Sequence, residues 1–517
     1  MITISFLWLI VLPIASSPLI YILGRIPFNR AAFHTIKLDG HLMLQRPKTR
    51  IPFALALIAM LAMWLIFYTV AVQFQASGVQ WYALGSISLR LDGLSLLLAA
   101  VALGLGTMVV IFSGPYMANE VGEEKYYALL VLMIGVMIGL GCAYDLFNLW
   151  VWFEAMAVSS YLLVAFYHEQ PASLEAGVKY LVQSAAGSAL VLLGIALVFA
   201  QTGTLALNQI SDAAAHAPNA PALLVAGALF LIGYGVKAAL VPLHTWLPDA
   251  HSQAPSGISA MLSGVVIEVG LVALLRSLGA LGGVTMAWST LLLIFGALNM
   301  LLGNLLALRQ TQVKRLLAFS SLSQMGYMLL GLGIAVYSGQ PSGAEGSFFH
   351  LINHALMKGL AFLAAGALLH GLYIAAGKHG TLLTADLAGA ARRYPLPALA
   401  LSIAVLGLGG LPPLAGFMSK WQIFVAGFQT HDLALMLLVI FAALNSVLSL
   451  AYYAPLVNTM YRQEPSEIVQ NGKPLPLVMG IPLVLLSAAV IAVGIWPILL
   501  QWLSAPAGAA LLAAFGR

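Results

Sequence analysis

Charge is scarce in this sequence. Only 8% of its 517 residues are Asp, Glu, Lys or Arg and 61% are hydrophobic, whereas a soluble domain carries roughly 25% charged residues. That balance excludes an ordinary water-exposed globular fold. Cysteine is scarcer still, with Cys142 alone. A single cysteine cannot close an internal disulfide, and no cysteine-ligated iron–sulfur cluster can be held by this chain by itself. Its expected role is that of a small apolar packing residue. The chain has no Walker loop and no Gly-rich fingerprint between a strand and a helix. Its 49 glycines are expected at close helix–helix contacts. No cofactor and no resident metal are therefore expected, and nucleic acid is not among the expected partners.

Long apolar runs fill the space that charge leaves. Read against their Gly, Pro and charge punctuation, they give about fourteen spans able to cross roughly 30 Å of hydrocarbon. They begin near residues 2, 52, 91, 127, 146, 178, 223, 254, 288, 315, 349, 397, 432 and 477. The expected fold class is all-α and polytopic. The first run, from Ile2 to about Leu23, is too long and too uncharged at its start for a cleaved signal peptide. Residues 24–51 and 462–476 are the longest intervening stretches, and neither is long enough for a soluble domain. Function is expected inside the membrane.

The cations are lopsided. Sixteen of the 22 lysines and arginines fall on one side of this arrangement. They are Arg25, Arg30, Lys37, Arg46, Lys48 and Arg50 in the 25–50 loop, with Lys125, Lys179, Arg309, Lys314, Arg315, Lys378, Arg392, Arg393, Arg462 and Lys473. Arg90, Arg276 and Arg517 fall on the other side. Cytoplasmic loops carry the excess of Lys and Arg, so both termini are expected outside, on the periplasmic face of a cell inner membrane. The 25–50 loop, with Asp39 as its one acid, reads either as a docking surface for a partner or anionic lipid or as a topology determinant only.

The informative residues are ionisable groups at mid-membrane depth, where charge is costly and commonly marks an ion path. Glu154 in "DLFNLWVWFEAMAV" lies nine residues beyond Asp145, roughly 13 Å into its span. Lys237 in "IGYGVKAALVPLHTWLPDAHSQAP" precedes Pro242, which removes a helix hydrogen bond. Glu268 sits near the centre of the next span. In "FFHLINHALMKGL", His350, His354 and Lys358 recur every four residues, on one side of a helix. Lys420 follows "GLGGLPPLAGFMSK", where Pro412 and Pro413 should break the twelfth span. Two proline-interrupted spans, each with a lysine close by, suggest an internal repeat and point to the ion path. Desolvation and a nearby opposite charge pull a lysine in opposite directions. A lysine that gains and loses a carboxylate partner can thus exchange a proton, and histidine is a natural relay. A buried Glu–Lys pair can equally be a structural tie.

These residues resemble the antiporter-like subunits shared by respiratory complex I, Mrp-type cation/proton antiporters and membrane-bound hydrogenases. The resemblance rests on "WFE" with Glu154, "VKAALVPLHTWLPDAHSQAP" with Lys237, "FHLINHALMK" with Lys358 and "GLPPLAGFMSKW" with Lys420. It implies fourteen helices with two inverted five-helix repeats. The corresponding divisions are residues 1–126 for helices 1–3, 127–280 and 288–461 for the two half-channels, and 462–517 for a final loop and helix 14. It implies that Glu154 and Lys237 form a switching pair, with Lys358 as central relay and Lys420 in the second half-channel. The family usually has lysine where this chain has Glu268, and a carboxylate there would attract protonated Lys237. The long lateral helix of the largest complex I member has no expected counterpart. The expected function is translocation of protons, alone or in exchange for Na⁺, within a multisubunit membrane complex whose other subunits carry any redox chemistry. An Mrp-type subunit driven by an ion gradient, and a structural subunit without transport, are the alternatives.

Overall fold

The computed structural model describes residues 4–26, 34–38, 41–45, 50–85, 87–118, 120–377 and 380–516. Arg30, Asp39, Arg46, Lys48, Lys378 and Arg517, which entered the charge count, lie outside the described residues. Helices α1 (Trp8–Arg25) and α2 (Ile51–Ser77) flank a small hairpin, β1 (His34–Leu38) and β2 (His41–Gln45). A second hairpin, β3 (Gln80–Leu84) and β4 (Ile87–Leu91), leads into α3 (Gly93–Tyr116), α4 (Glu123–Cys142), α5 (Leu146–Val164) and α6 (Pro171–Thr202). After α7 (Leu207–His216) come α8 (Pro221–Lys237), α9 (Trp246–Gln253), α10 (Ser256–Met261) and α11 (Ile267–Ala280). The second half holds α12 (Trp288–Ala307), α13 (Val313–Ser338), α14 (Pro341–Leu372), the short α15 (Ala390–Arg393), α16 (Pro395–Gly409), α17 (Ala415–Phe428) and α18 (Leu433–Arg462). A turn of helix, α19 (Glu467–Gln470), precedes α20 (Leu477–Ile495) and α21 (Gln501–Ala514).

Helix dominates because a chain in hydrocarbon must satisfy its own backbone groups. Among the described residues, 13 helical segments are long and apolar enough to cross a membrane. Their ends carry local signals. Asp92 caps α3 in a reciprocal box with Ser95, and Asp145 and Asp432 cap α5 and α18 through side-chain oxygens that satisfy free N–H groups. Proline opens α6, α8, α14 and α16, where its missing N–H costs nothing.

Both expected interruptions are present. The first separates α8 from α9, with Ala239 at φ 54°; the second separates α16 from α17, with Gly410 at φ 83°. A π-helical turn, Leu262–Val266, joins α10 to α11. The final span departs from expectation: α20 ends at Ile495, and a further apolar helix, Pro497–Ala514, follows. Helices α11, α13 and α14 are enclosed by the others, whereas α1, α6 and α18 keep much of their surface outward. Glu268 on α11 and His350, His354 and Lys358 on α14 therefore sit in the most enclosed part of the bundle.

Candidate functional site

The first interruption leaves backbone groups that no helix can pair, and Asn299 on α12 takes them. Its Nδ2 donates to the Ala239 carbonyl at 3.1 Å, and its Oδ1 accepts from the Val241 N–H at 2.9 Å. Lys237 is fully buried at the end of α8. Its ammonium donates to the Tyr180 hydroxyl at 2.6 Å and lies 4.4 Å from the Tyr180 ring centroid. That ring stacks on Trp246 at 4.0 Å, and Trp246 donates to the Val236 carbonyl. The lysine is thus held by an aromatic platform, with cation–π attraction added to a hydrogen bond. Glu154 makes no direct ion pair with it. The carboxylate is half-buried on α5, within electrostatic reach of Lys237, and its Oε1 has no protein partner.

Glu268 lies two residues beyond the π-helical segment, in the first turn of α11, and its partner is His354 on α14, not Lys237. Glu268 Oε1 and His354 Nδ1 are 2.7 Å apart, with both side chains fully buried. One glycine permits this approach: a Cβ at Gly264 would come within 3.3 Å of the Ala355 backbone on α14. Gly270 instead lets α11 close on the end of α8, where a Cβ would lie 2.9 Å from the Ala238 nitrogen. A π-helical turn at such a contact is a common companion of function. The other polar atoms, Glu268 Oε2 and His354 Nε2, have no protein partner.

His350 continues the row. Its Nε2 donates to Gln324 Oε1 at 3.1 Å, and its Nδ1 is 2.8 Å from the Ser419 hydroxyl. The His350 and His354 rings stand 6.5 Å apart, centre to centre. Lys358, one turn further along α14, donates to the Leu317 carbonyl at 2.7 Å and the Ser320 hydroxyl at 2.6 Å. Ser320 in turn bonds Tyr453. Lys420 donates to the Leu408 carbonyl at 2.7 Å and Ser446 at 2.9 Å, over the ring of Tyr327 at 4.3 Å. The open carbonyl end of α16 is therefore covered by Lys420 and by Gln324, while Ser446 donates to Gly409. A cation is favoured at such a helix end.

Seven residues were singled out from the sequence. Six of them, Lys237, Glu268, His350, His354, Lys358 and Lys420, are enclosed here, and Glu154 stands at the margin. Tyr180, Asn299, Gln324, Tyr327, Ser419 and Ser446 were missed; they are polar residues in spans and carried no motif that marked them. So was the tie between Asp92 and Arg276. Arg276, expected outside the membrane, is buried instead, bound to Asp92 at 2.9 and 3.1 Å and to the Gly141 carbonyl. Lys314 is likewise buried, against the Ala254 carbonyl. Arg315 and Lys179 both pair with Asp249 on α9.

A bundle of apolar helices, two of them interrupted beside a buried lysine, with a row of ionisable groups through its centre, is the architecture of an antiporter-like membrane subunit. The chain belongs to the NADH:quinone oxidoreductase/Mrp antiporter transmembrane family, whose profile matches residues 143–446. Residues 81–127 match the N-terminal region of chain 5 of NADH-ubiquinone oxidoreductase (complex I). It is 34% identical to F(420)H(2) dehydrogenase subunit N of Methanosarcina mazei, over 80% of this chain and 83% of that one. NADH-quinone oxidoreductase subunit N of Desulforamulus reducens is 32% identical, over 75% and 79%. Among solved structures, a chain of the archaeal membrane-bound sulfane sulfur reductase superposes with TM-score 0.82 at 30% identity, covering 98% of this chain and 97% of that one. A chain of the Mrp complex from Dietzia shares the fold, with TM-score 0.83 at 23% identity and 98% of each chain covered. The protein is a multi-pass membrane subunit of the complex I-like and Mrp-like class, with antiporter-like ion translocation as its function.

Proposed function

We propose that the buried row carries protons across the membrane, with Lys237 and Lys420 as the two stations beside the interruptions. Glu154 is the carboxylate that Lys237 gains and loses as it swings from Tyr180. Glu268 and His354 join the first half, residues 127–280, to the second, residues 288–461, and these halves are two inverted five-helix repeats. His350 links His354 to the α17 station through Ser419, and Lys358 opens a branch through Ser320 and Tyr453. The termini face the periplasm of an inner membrane, a placement the cation asymmetry supports. The chain works beside redox-active subunits, as the names of its subunit N relatives suggest.

The observation that carries this reading is the contact of Glu268 with His354. Proton transfer needs donor and acceptor about 2.6–3.2 Å apart, and this pair meets that condition inside the enclosed core. Each partner keeps one ring or carboxylate atom free to pass a proton onward. The reading is tested with the complex purified through this chain and reconstituted in vesicles. A pH-sensitive dye reports proton movement and ²²Na⁺ uptake reports exchange, in wild type and in Glu154→Ala. Protons moving without Na⁺, and lost in the variant, fit a proton path. Na⁺ uptake matched to proton release assigns exchange, and transport untouched by Glu154→Ala removes Glu154 from the path.

A further inference from the structure

Away from the row, a groove of about 370 Å³ opens between α16, α20 and the end of α14. That size falls within the roughly 300–1,000 Å³ range of ligand clefts. Its walls are apolar, including Leu396, Pro397, Leu475, Met479 and Leu483, and its one charged lining residue is Arg393. The groove lies where spans begin and end, since α16 and α20 start beside it and α14 finishes beside it. Two similar segments build its mouth: Arg393-Tyr394-Pro395-Leu396-Pro397 opens α16 and Lys473-Pro474-Leu475-Pro476-Leu477 opens α20. The mouth is prearranged. Arg393 donates to the Gly472 carbonyl, the Tyr394 hydroxyl to the Lys473 carbonyl, and the Lys473 N–H to the Gly371 carbonyl. Arg392 is occupied by Glu464 at 2.8 Å. No acid pairs with Arg393 or Lys473 among the described residues.

We infer that this groove binds one anionic phospholipid, its phosphate at Arg393 and Lys473 and an acyl chain along the apolar floor. A cation at the end of a span over an apolar cleft matches both parts of such a molecule. Basic pockets between transmembrane helices are where lipid headgroups are held. A free phosphate would have no use for the apolar floor. A partner helix would have no use for Arg393 in the lining and Lys473 one residue before the lining's Pro474, neither paired with an acid among the described residues. Leu477, 92% exposed at the mouth, is placed to meet the lipid.

The test uses the complex purified gently through this chain. Phospholipid retained by it is measured by mass spectrometry, with p-benzoylphenylalanine at Leu477 as a photocrosslinker. Two variants separate charge from space. Arg393→Ala with Lys473→Ala removes both cations, and Gly480→Leu fills the groove, where an added Cβ would already lie 3.1 Å from Leu396. Wild type is expected to retain an anionic phospholipid and form a lipid adduct. The double variant should bind it about thirtyfold more weakly, from the worth of two cations at an anionic membrane surface. Gly480→Leu should lose it with both cations intact. An adduct to another polypeptide, or equal lipid retention in wild type and both variants, overturns the assignment.

Discussion

Glu268→Gln isolates the ability to ionise, because glutamine keeps the shape and the hydrogen bond but cannot carry the charge. At 2.7 Å and an effective dielectric near 20, a carboxylate and an imidazolium attract by about 6 kcal/mol. On the proposed path, that attraction offsets the cost of placing a proton on His354 inside the core. Without it, the hop onto His354 is dearer by up to that amount, and each 1.36 kcal/mol is about tenfold in rate. Even a quarter of the full value predicts roughly a tenfold slower transport. Stability should change little, since glutamine can still bond Nδ1, and a single hydrogen bond is worth about 1 kcal/mol. The assay is proton movement in vesicles by the reconstituted complex, beside its thermal unfolding at matched expression. Glu268→Lys separates the accounts further. A lysine can donate to a neutral His354 and retain part of the transport, whereas two fixed like charges would unfold the core. An active, stable Gln variant beside an unfolded Lys variant would refute the carrier role.

Other residues carry their own expectations. Lys358→Ala should damage proton transport more than His350→Ala, because it removes the cation that joins α14 to Ser320 and Tyr453, whereas water can replace a histidine relay; equal defects at matched expression would contradict this. Asn299→Ala strips two partners from the first interruption, at about 1–3 kcal/mol for each buried group left unpaired, so the melting temperature and transport should fall together. Arg276→Ala takes from buried Asp92 its bidentate partner and leaves it Arg90 at 3.3 Å and Ser95. The loss should therefore fall below the roughly 3–5 kcal/mol of a fully unpaired buried charge, read as a lower melting temperature of the assembled complex.

Much of this site was legible because its residues violate their surroundings. A lysine or glutamate within an apolar run announces itself, and Pro242 and the Pro412–Pro413 pair announce the interruptions. The residues that complete the site violate nothing. Asn299, Gln324 and Ser446 are ordinary polar residues in spans, and only folding brings them to carbonyls released by interruptions elsewhere in the chain. Tyr180 and Tyr327 read as packing aromatics until a lysine is seen above each ring. Glu268 illustrates the limit most clearly. Its depth was readable, yet its partner was expected to be Lys237, which lies on the neighbouring α8. The π-helical turn before it and the glycine at 264 bring α14 close and give the contact to His354. Arg276 was read as a residue beyond the membrane because it ends a span, while its partner Asp92 is 184 positions away.

Lys237→Ala puts the central claim to its most direct test. The complex carrying this substitution is purified, its subunit composition checked, and ion movement per turnover measured in sealed vesicles against wild type. A complete complex that no longer moves protons is the predicted result. Wild-type proton movement by the Lys237→Ala complex would contradict the account.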